Sequence, residues 1–167
     1  MTVMRVQLSL GSNVGVRQDH LRAALRALDA AVGVHVTRCS GYYETEPLGN
    51  TAQPAFLNLA VEIETDREPL ELLRTVKEIE RRLGRTPAAR WAPRVIDIDI
   101  ILWESRVLDS EVLTVPHKEF RKRAFVLAPL EEIVPDAVEP VSGLTIAELA
   151  ARPEVEGRVE RLGTLDH

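Results

Sequence analysis

The stretch "RVIDIDIILW", residues 94–103, decides the fold. Its β-branched and apolar content reads as a strand. Asp97 and Asp99 nevertheless stand inside it, although aspartate is depleted in strands and costly to bury unpaired. Side chains alternate across a strand, so both carboxylates share one face, with Cα atoms roughly 6.5 Å apart. Ile96, Ile98, Ile100 and Leu102 then take the other face. The strand is expected to be apolar toward a core and acidic on an open side.

Working outward from this strand, the pattern alternates helix and strand signals. "MRVQLSL" (4–10) alternates apolar and polar residues and predicts a strand. Leu21, Ala24, Leu25, Leu28 and Val32 fall at helical spacing, with Gly33 as the stop. "VHVTRCSGYYET" (34–45) predicts a second strand and "TEPLGNTAQPA" (45–55) a loop. "FLNLAVEIET" (56–65) predicts a third strand. Leu72, Leu73, Val76, Ile79 and Leu83 form the stripe of a second helix closed by Gly84. The order β-α-β-β-α-β gives an α+β fold. It is the ferredoxin-like antiparallel sheet with both helices on one face. C-terminal additions follow: a short hairpin near 103–108 and helices around 124–133 and 144–151. This extra material is expected to wall the open face into a pocket. With no repeat or low-complexity linker, residues 1–167 read as a single domain.

Composition narrows the class. Of 167 residues, 45% are hydrophobic and 28% charged, as in soluble globular domains. Nothing resembles a transmembrane span or a signal peptide. The single cysteine, Cys39, excludes internal disulfides and cysteine-cluster metal sites, and a cytoplasmic protein is expected. The net charge of −5 argues against a nucleic-acid partner. Yet "RRLGRTPAARWAPR" (81–94) carries five arginines and no acid, and "HKEFRKR" (117–123) carries four more basic residues. Two basic segments on an acidic chain suit a confined anionic ligand, or else two solvated loops.

Two carboxylates held close repel each other unless something positive sits between them. A pair of divalent cations, about 3.5–4 Å apart and bracketed by the two carboxylates, answers that need, and magnesium leaves positions open for substrate phosphates. Arg94 precedes Asp97 by three residues, and Arg85 and Arg90 lie in the feeding loop. Acids for a metal and arginines for phosphate are the parts of a metal–nucleotide site. The plainer alternative is a solvated strand face with each aspartate paired to an arginine. No P-loop motif is present. A non-catalytic ferredoxin-like nucleotide- or ligand-binding module and a metal-dependent nuclease are the competing readings. The nuclease fits poorly with an acidic chain.

"RWAPRVIDIDIIL" followed by "LTVPHKEFRKRAFVLAPLEEIVP" resembles the signature region of the 6-hydroxymethyl-7,8-dihydropterin pyrophosphokinase family. "LSLGSNVG", "YYETEPLG" and "QPAFLNLAVEIET" match the same family in order and spacing, so the resemblance runs over residues 5–136. It implies transfer of pyrophosphate from ATP to the hydroxymethyl group of the pterin, releasing AMP, in folate biosynthesis, with two magnesium ions. By resemblance, Asp97 and Asp99 are the metal ligands, and Arg85 and Arg94 act with them in catalysis. Leu73, Lys77, Glu80, Arg85, Arg90, Arg94, Ile100, Thr114, His117, Lys118 and Arg123 fall on ATP-binding positions. Thr45, Glu46, Leu48, Phe56, Asn58, Trp91 and Phe125 fall on pterin positions. A flat heteroaromatic ring needs stacking surfaces and a few fixed polar groups. Phe56 and Phe125 are expected to sandwich it, and the Asn58 amide suits its polar edge. Residues 84–94 are expected to form a lid over ATP. Pro87, Ala92, Lys118 and Glu46 depart from residues common in the family. The partners implied are the two small-molecule substrates; no membrane partner and a monomeric protein are expected.

Overall fold

The computed structural model describes residues 2–45, 54–84 and 95–165. The elements run β1 (Met4–Ser12), α1 (Arg17–Ala30), β2 (Val34–Cys39), β3 (Tyr42–Thr45), β4 (Phe56–Thr65), α2 (Pro69–Arg82) and β5 (Asp97–Trp103). Then come β6 (Leu108–Asp109), β7 (Thr114–Val115), a 3₁₀ turn (Phe120–Lys122), α3 (Ala124–Ile133), α4 (Ile146–Ala150) and β8 (Val159–Gly163). The main sheet is ordered β5-β1-β4-β3-β8, and β2 pairs with β4 beyond the end of β3. Every pairing in it is antiparallel.

The alternating strands sort their residues onto two faces. Val6, Leu8 and Leu10 of β1 join Leu57, Leu59, Val61 and Ile63 of β4 and Ile98 and Ile100 of β5 in one core. Leu21, Leu25 and Leu28 of α1 and Leu72, Val76 and Ile79 of α2 cover it. These are the stripes that the helical spacing predicts. α2 starts at Glu68, whose side chain and that of Glu71 form a reciprocal capping box, with Pro69 in the first turn. The opposite face is partly closed by α3 and α4. Ala60, Ile101 and Leu102 pack there against Val126, Leu127, Leu130, Ile146 and Leu149. The C-terminal third thus walls one region of the open face.

Several expectations change. Leu102 does not join Ile98 and Ile100, because the pairing of β1 with β5 shifts between Gln7 and Leu8. A β-bulge inserts one extra residue and breaks the alternation. Ile101 and Leu102 therefore face α3, and Trp103 returns to the first core. The segment 34–45 is two strands, broken at Ser40–Gly41. A Cβ on Gly41 would lie 2.6 Å from the Gly163 carbonyl, so that crossing admits only glycine. α1 ends at Ala30, which leaves Val32 outside the stripe and 77% exposed. The short hairpin is β6–β7, later than 103–108, because the chain turns at Glu104 (φ 48°) before pairing Leu108 with Val115. The final helix is the five-residue α4, capped by Thr145. β8 was not expected: it pairs along β3 and ends the sheet.

Candidate functional site

β5 lies at one edge of the sheet, and its acidic residues sit where sheet alternation predicts. Asp97 pairs with Gly11 and Asp99 with Ser9 on β1. Asp97 is half-buried and Asp99 exposed, while Ile98 between them is buried in the first core. The backbone at that point is fastened from α2. The Glu80 carboxylate, 2% exposed, accepts a hydrogen bond from the Ile98 amide at 2.8 Å, and Lys77 Nζ lies 3.4 Å from its other oxygen. A helix side chain thus sets the strand segment that carries both carboxylates.

On the outer side of β5 is a cavity of about 210 Å³. Leu73 and Lys77 of α2, Ile100 and Asp99 of β5, and Thr114, His117 and Lys118 line it. Six of these are residues expected at the nucleotide, and the seventh is one of the two acids. Val112 and Leu113 also line the cavity and were missed. Their place next to "TVPH" was the available signal, since the His117 amide bonds the Ile101 carbonyl and holds that stretch against β5. His117 is fixed by its amide, which donates to the Ile101 carbonyl at 2.9 Å, and by Nδ1, which accepts from the Glu119 amide at 3.3 Å. An accepting Nδ1 puts the neutral ring's proton on Nε2, leaving a donor for a phosphate or ribose oxygen. Burial lowers the His117 pKa below its ordinary value, against the opposing charge of Asp99. Glu80 belongs to the backbone clamp behind this cavity, which does not include it among its walls.

Three of the pterin candidates, Thr45, Phe56 and Asn58, occupy the next rows of the same sheet face. Asn58 pairs with Gly11 on one side and Tyr43 on the other. Asp97 therefore lies two strand spacings from Asn58, about 10 Å between Cα atoms. The absence of a side chain at Gly11 is what lets Asn58 lie over β1. A Cβ there would stand 2.6 Å from Asn58 Oδ1 and 3.5 Å from the Phe56 ring. Asn58 Nδ2 donates to Thr45 Oγ1 at 2.7 Å, and Thr45 pairs with Phe56. Thr45, Phe56 and Asn58 thus form one contiguous patch. Gly11 and Ser9 were not singled out in the sequence, although the alternation of "MRVQLSLGS" places both on the polar face.

Phe56 and Phe125 are half-buried, unlike Phe120, which is fully enclosed and purely core. Phe125 packs on the second core from the start of α3. The Arg123 guanidinium lies 5.6 Å from the centre of the Phe125 ring and is paired with Glu119 at 2.9 Å. That arrangement brings a basic group expected at the phosphates beside a ring expected at the pterin.

Glu46, Leu48, Arg85, Arg90, Trp91 and Arg94 lie outside the described residues, as does the expected lid apart from Gly84. Among the described residues no cluster of three or more His, Cys, Asp or Glu is positioned to hold a metal. The donor set at β5 is two carboxylates. Carboxylate oxygens fit magnesium, which is commonly held by one or two carboxylates plus substrate phosphates. Among the described residues no helix is long and apolar enough to cross a membrane.

A family profile described as 7,8-dihydro-6-hydroxymethylpterin-pyrophosphokinase matches residues 7–135. The chain is 48% identical over 126 residues to the 2-amino-4-hydroxy-6-hydroxymethyldihydropteridine pyrophosphokinase of Bacillus subtilis, covering 75% of each chain. It is 44% identical over 158 residues to the protein of the same name from Methylorubrum extorquens, covering 95% of this chain and 98% of that one. Among solved structures, a Plasmodium falciparum HPPK-DHPS triple mutant superposes with a TM-score of 0.71 at 18% identity. That match covers 89% of this chain and 44% of the solved one, so the chain spans less than half of that structure, and the likeness concerns the fold alone.

Proposed function

Because the chain belongs to the 7,8-dihydro-6-hydroxymethylpterin-pyrophosphokinase family, we propose that its acidic strand, its outer cavity and its inner polar patch are the metal, ATP and pterin parts of one active site. The chain is an enzyme of folate synthesis that transfers the pyrophosphoryl group of ATP to hydroxymethyldihydropterin. The acceptor hydroxyl oxygen bonds to the β-phosphorus, the bond from that phosphorus to the oxygen shared with the α-phosphate breaks, and AMP leaves. Membership of an enzyme family removes the non-catalytic module and the nuclease as readings of this chain.

The observation that carries the site assignment is the shared position of the two acids. Asp99 lines the outer cavity, while Asp97 lies beside Gly11 and two strands from Asn58. The acids stand between a place for the nucleotide and a place for the acceptor. Leu73, Ile100 and Thr114 frame the base and ribose; Lys77, His117, Lys118 and Arg123 meet phosphate or ribose oxygens. Arg85, Arg90 and Arg94 join them from the basic segment, Arg85 and Arg94 in catalytic roles. Thr45 and Asn58 hold the polar edge of the pterin, and Phe56, Phe125 and Trp91 its faces, with Glu46 and Leu48 completing that side. Asp97 and Asp99 would hold magnesium, two ions by this reading, which when bound would neutralise phosphate charge and lower the pKa of the acceptor hydroxyl. The protein's own contribution is positioning and electrostatic preorganisation.

The strand order β5-β1-β4 followed by β2 and β3, with α1 and α2 in one core, supports a ferredoxin-like unit for the first two-thirds of the chain. We infer a single domain acting as a cytoplasmic monomer, which size-exclusion chromatography with light scattering tests for the oligomeric state. Activity is tested by product analysis. Magnesium-dependent AMP formation that requires 6-hydroxymethyl-7,8-dihydropterin supports the function; ADP as the product contradicts it.

A further inference from the structure

Arg17 opens α1, and that is an unfavourable place for an arginine. The N-terminus of a helix carries partial positive charge from its unpaired amides, so a cation there is destabilising. The cap residue Val16 offers no side-chain hydrogen bond to relieve it. Arg17 is compensated from elsewhere. Its Nη2 donates to Glu44 Oε2 at 2.8 Å, and its Nη1 donates to the Ala55 carbonyl at 2.8 Å. The two acceptors are 11 residues apart in sequence, Glu44 at the end of β3 and Ala55 just before β4. The next residue repeats the tie, for Gln18 Nε2 donates to the Tyr42 hydroxyl at 2.8 Å.

The residues that follow these two acceptors are Thr45 and Phe56, which pair across the sheet, and Thr45 bonds Asn58. A forked guanidinium suits this job, because it makes two directed bonds from one rigid plane. Its side chain is only 28% exposed, so the bonds are sheltered from solvent competition. Local sequence preference is broken here in favour of a long-range tie, which is the pattern expected near a functional site.

We propose that Arg17 is a positioning residue for the pterin half of the site: by fastening the end of β3 to the start of β4, it holds Thr45, Phe56 and Asn58 in register for the ring. This rests on the assignment of those three residues to the pterin. Arg17 touches no substrate; it acts through the patch.

The test is steady-state AMP formation by the full chain, varying each substrate in turn, with thermal melts of every variant. R17A raises the pterin KM by about tenfold, the loss expected for charge-assisted bonds. The ATP KM stays within about twofold, since the outer cavity lies on the far side of β5. R17K recovers part of the loss, keeping the charge without the fork. E44Q, which weakens one of the two ties, gives a smaller rise. A purely structural role would lower the melting temperature and move both KM values together, and that result overturns the proposal. So does a wild-type pterin KM in R17A while N58A raises it; there the pterin reading stands and the Arg17 role falls. If N58A leaves the pterin KM unchanged, the pterin reading itself fails. Should R17A not fold, R17K and E44Q decide: pterin KM values equal to wild type overturn the inference.

Discussion

The Glu80 carboxylate accepts the Ile98 amide hydrogen at 2.8 Å, so α2 grips the backbone midway between Asp97 and Asp99. The strand carrying the acids is an edge strand, and an edge has no second neighbour to hold it on its outer side. Glu80 supplies that missing restraint.

Removing it has two effects. E80A leaves a buried amide without its acceptor, which costs about 1–3 kcal/mol. It also frees the acid-bearing strand, and kcat falls more than the KM for either substrate rises. E80Q keeps an acceptor oxygen and loses less of both. Urea denaturation beside steady-state kinetics checks this, and an E80A enzyme with wild-type kcat would count against the clamp.

Gly11 gives the second prediction. Its missing side chain makes room for Asn58, whose Oδ1 would lie 2.6 Å from any added Cβ. G11A must push the Asn58 amide aside, and overpacking of this kind costs roughly 1–3 kcal/mol. The pterin KM rises in G11A because the displaced amide also loses its bond to Thr45. Isothermal titration of the pterin in the presence of a non-hydrolysable ATP analogue reads the effect directly.

Glu132 gives the acid limit of stability. Burial pushes its pKa up, but hydrogen bonds from Arg161, Tyr43 and the Gly41 amide outweigh burial and hold it at about 2, against an ordinary 4.5. The cluster ties α3 to β3 and β8, with Tyr43 Oη at 2.6 Å and Arg161 Nε at 3.0 Å from Glu132 Oε1. A depressed folded-state pKa stabilises above the unfolded-state value and loses that stabilisation as pH falls toward the folded one. The stability gap between wild type and E132Q is therefore full at pH 6 and closes between about pH 4.5 and 2. Urea midpoints across that range measure it. A gap independent of pH would contradict the ionised clamp.

Cys39 is half-buried, and burial together with the Glu132 charge raises its thiol to about 11. A thiol so far above neutral pH carries little thiolate, the reactive form. The folded protein reacts slowly with a disulfide reagent at pH 8, and the unfolded protein reacts fast. Equal rates in the two states would refute the shift.

Much of this was legible in the sequence because it follows from local periodicity. Alternation alone puts Asp97 and Asp99 opposite Ile98 and Ile100, and helical spacing gives Leu21, Leu25, Leu72 and Val76 their common core. What escaped depends on partners far away in the chain. Leu102 changes face because of a bulge set by β1, and the Gly41 break is dictated by Gly163. β8 is short and mostly exposed, with two charged residues among its five, and becomes a strand only by pairing with β3. At the site, residue types pointed to the acids, while His117 and Asn58 came from the family resemblance. Val112 and Leu113 are ordinary apolar residues, and only the return of the β6–β7 ribbon against β5 gives them a cavity to line.

Asp97 and Asp99 jointly serve the proposed reaction between the outer cavity and the polar patch. Single-turnover AMP formation by D97A and D99A, in saturating magnesium, ATP and 6-hydroxymethyl-7,8-dihydropterin, tests it most directly. Both variants should melt near the wild-type temperature and lose at least about a thousandfold in rate, the scale of removing a major electrostatic contribution to the transition state. A folded D97A or D99A protein that forms AMP at the wild-type rate would contradict it.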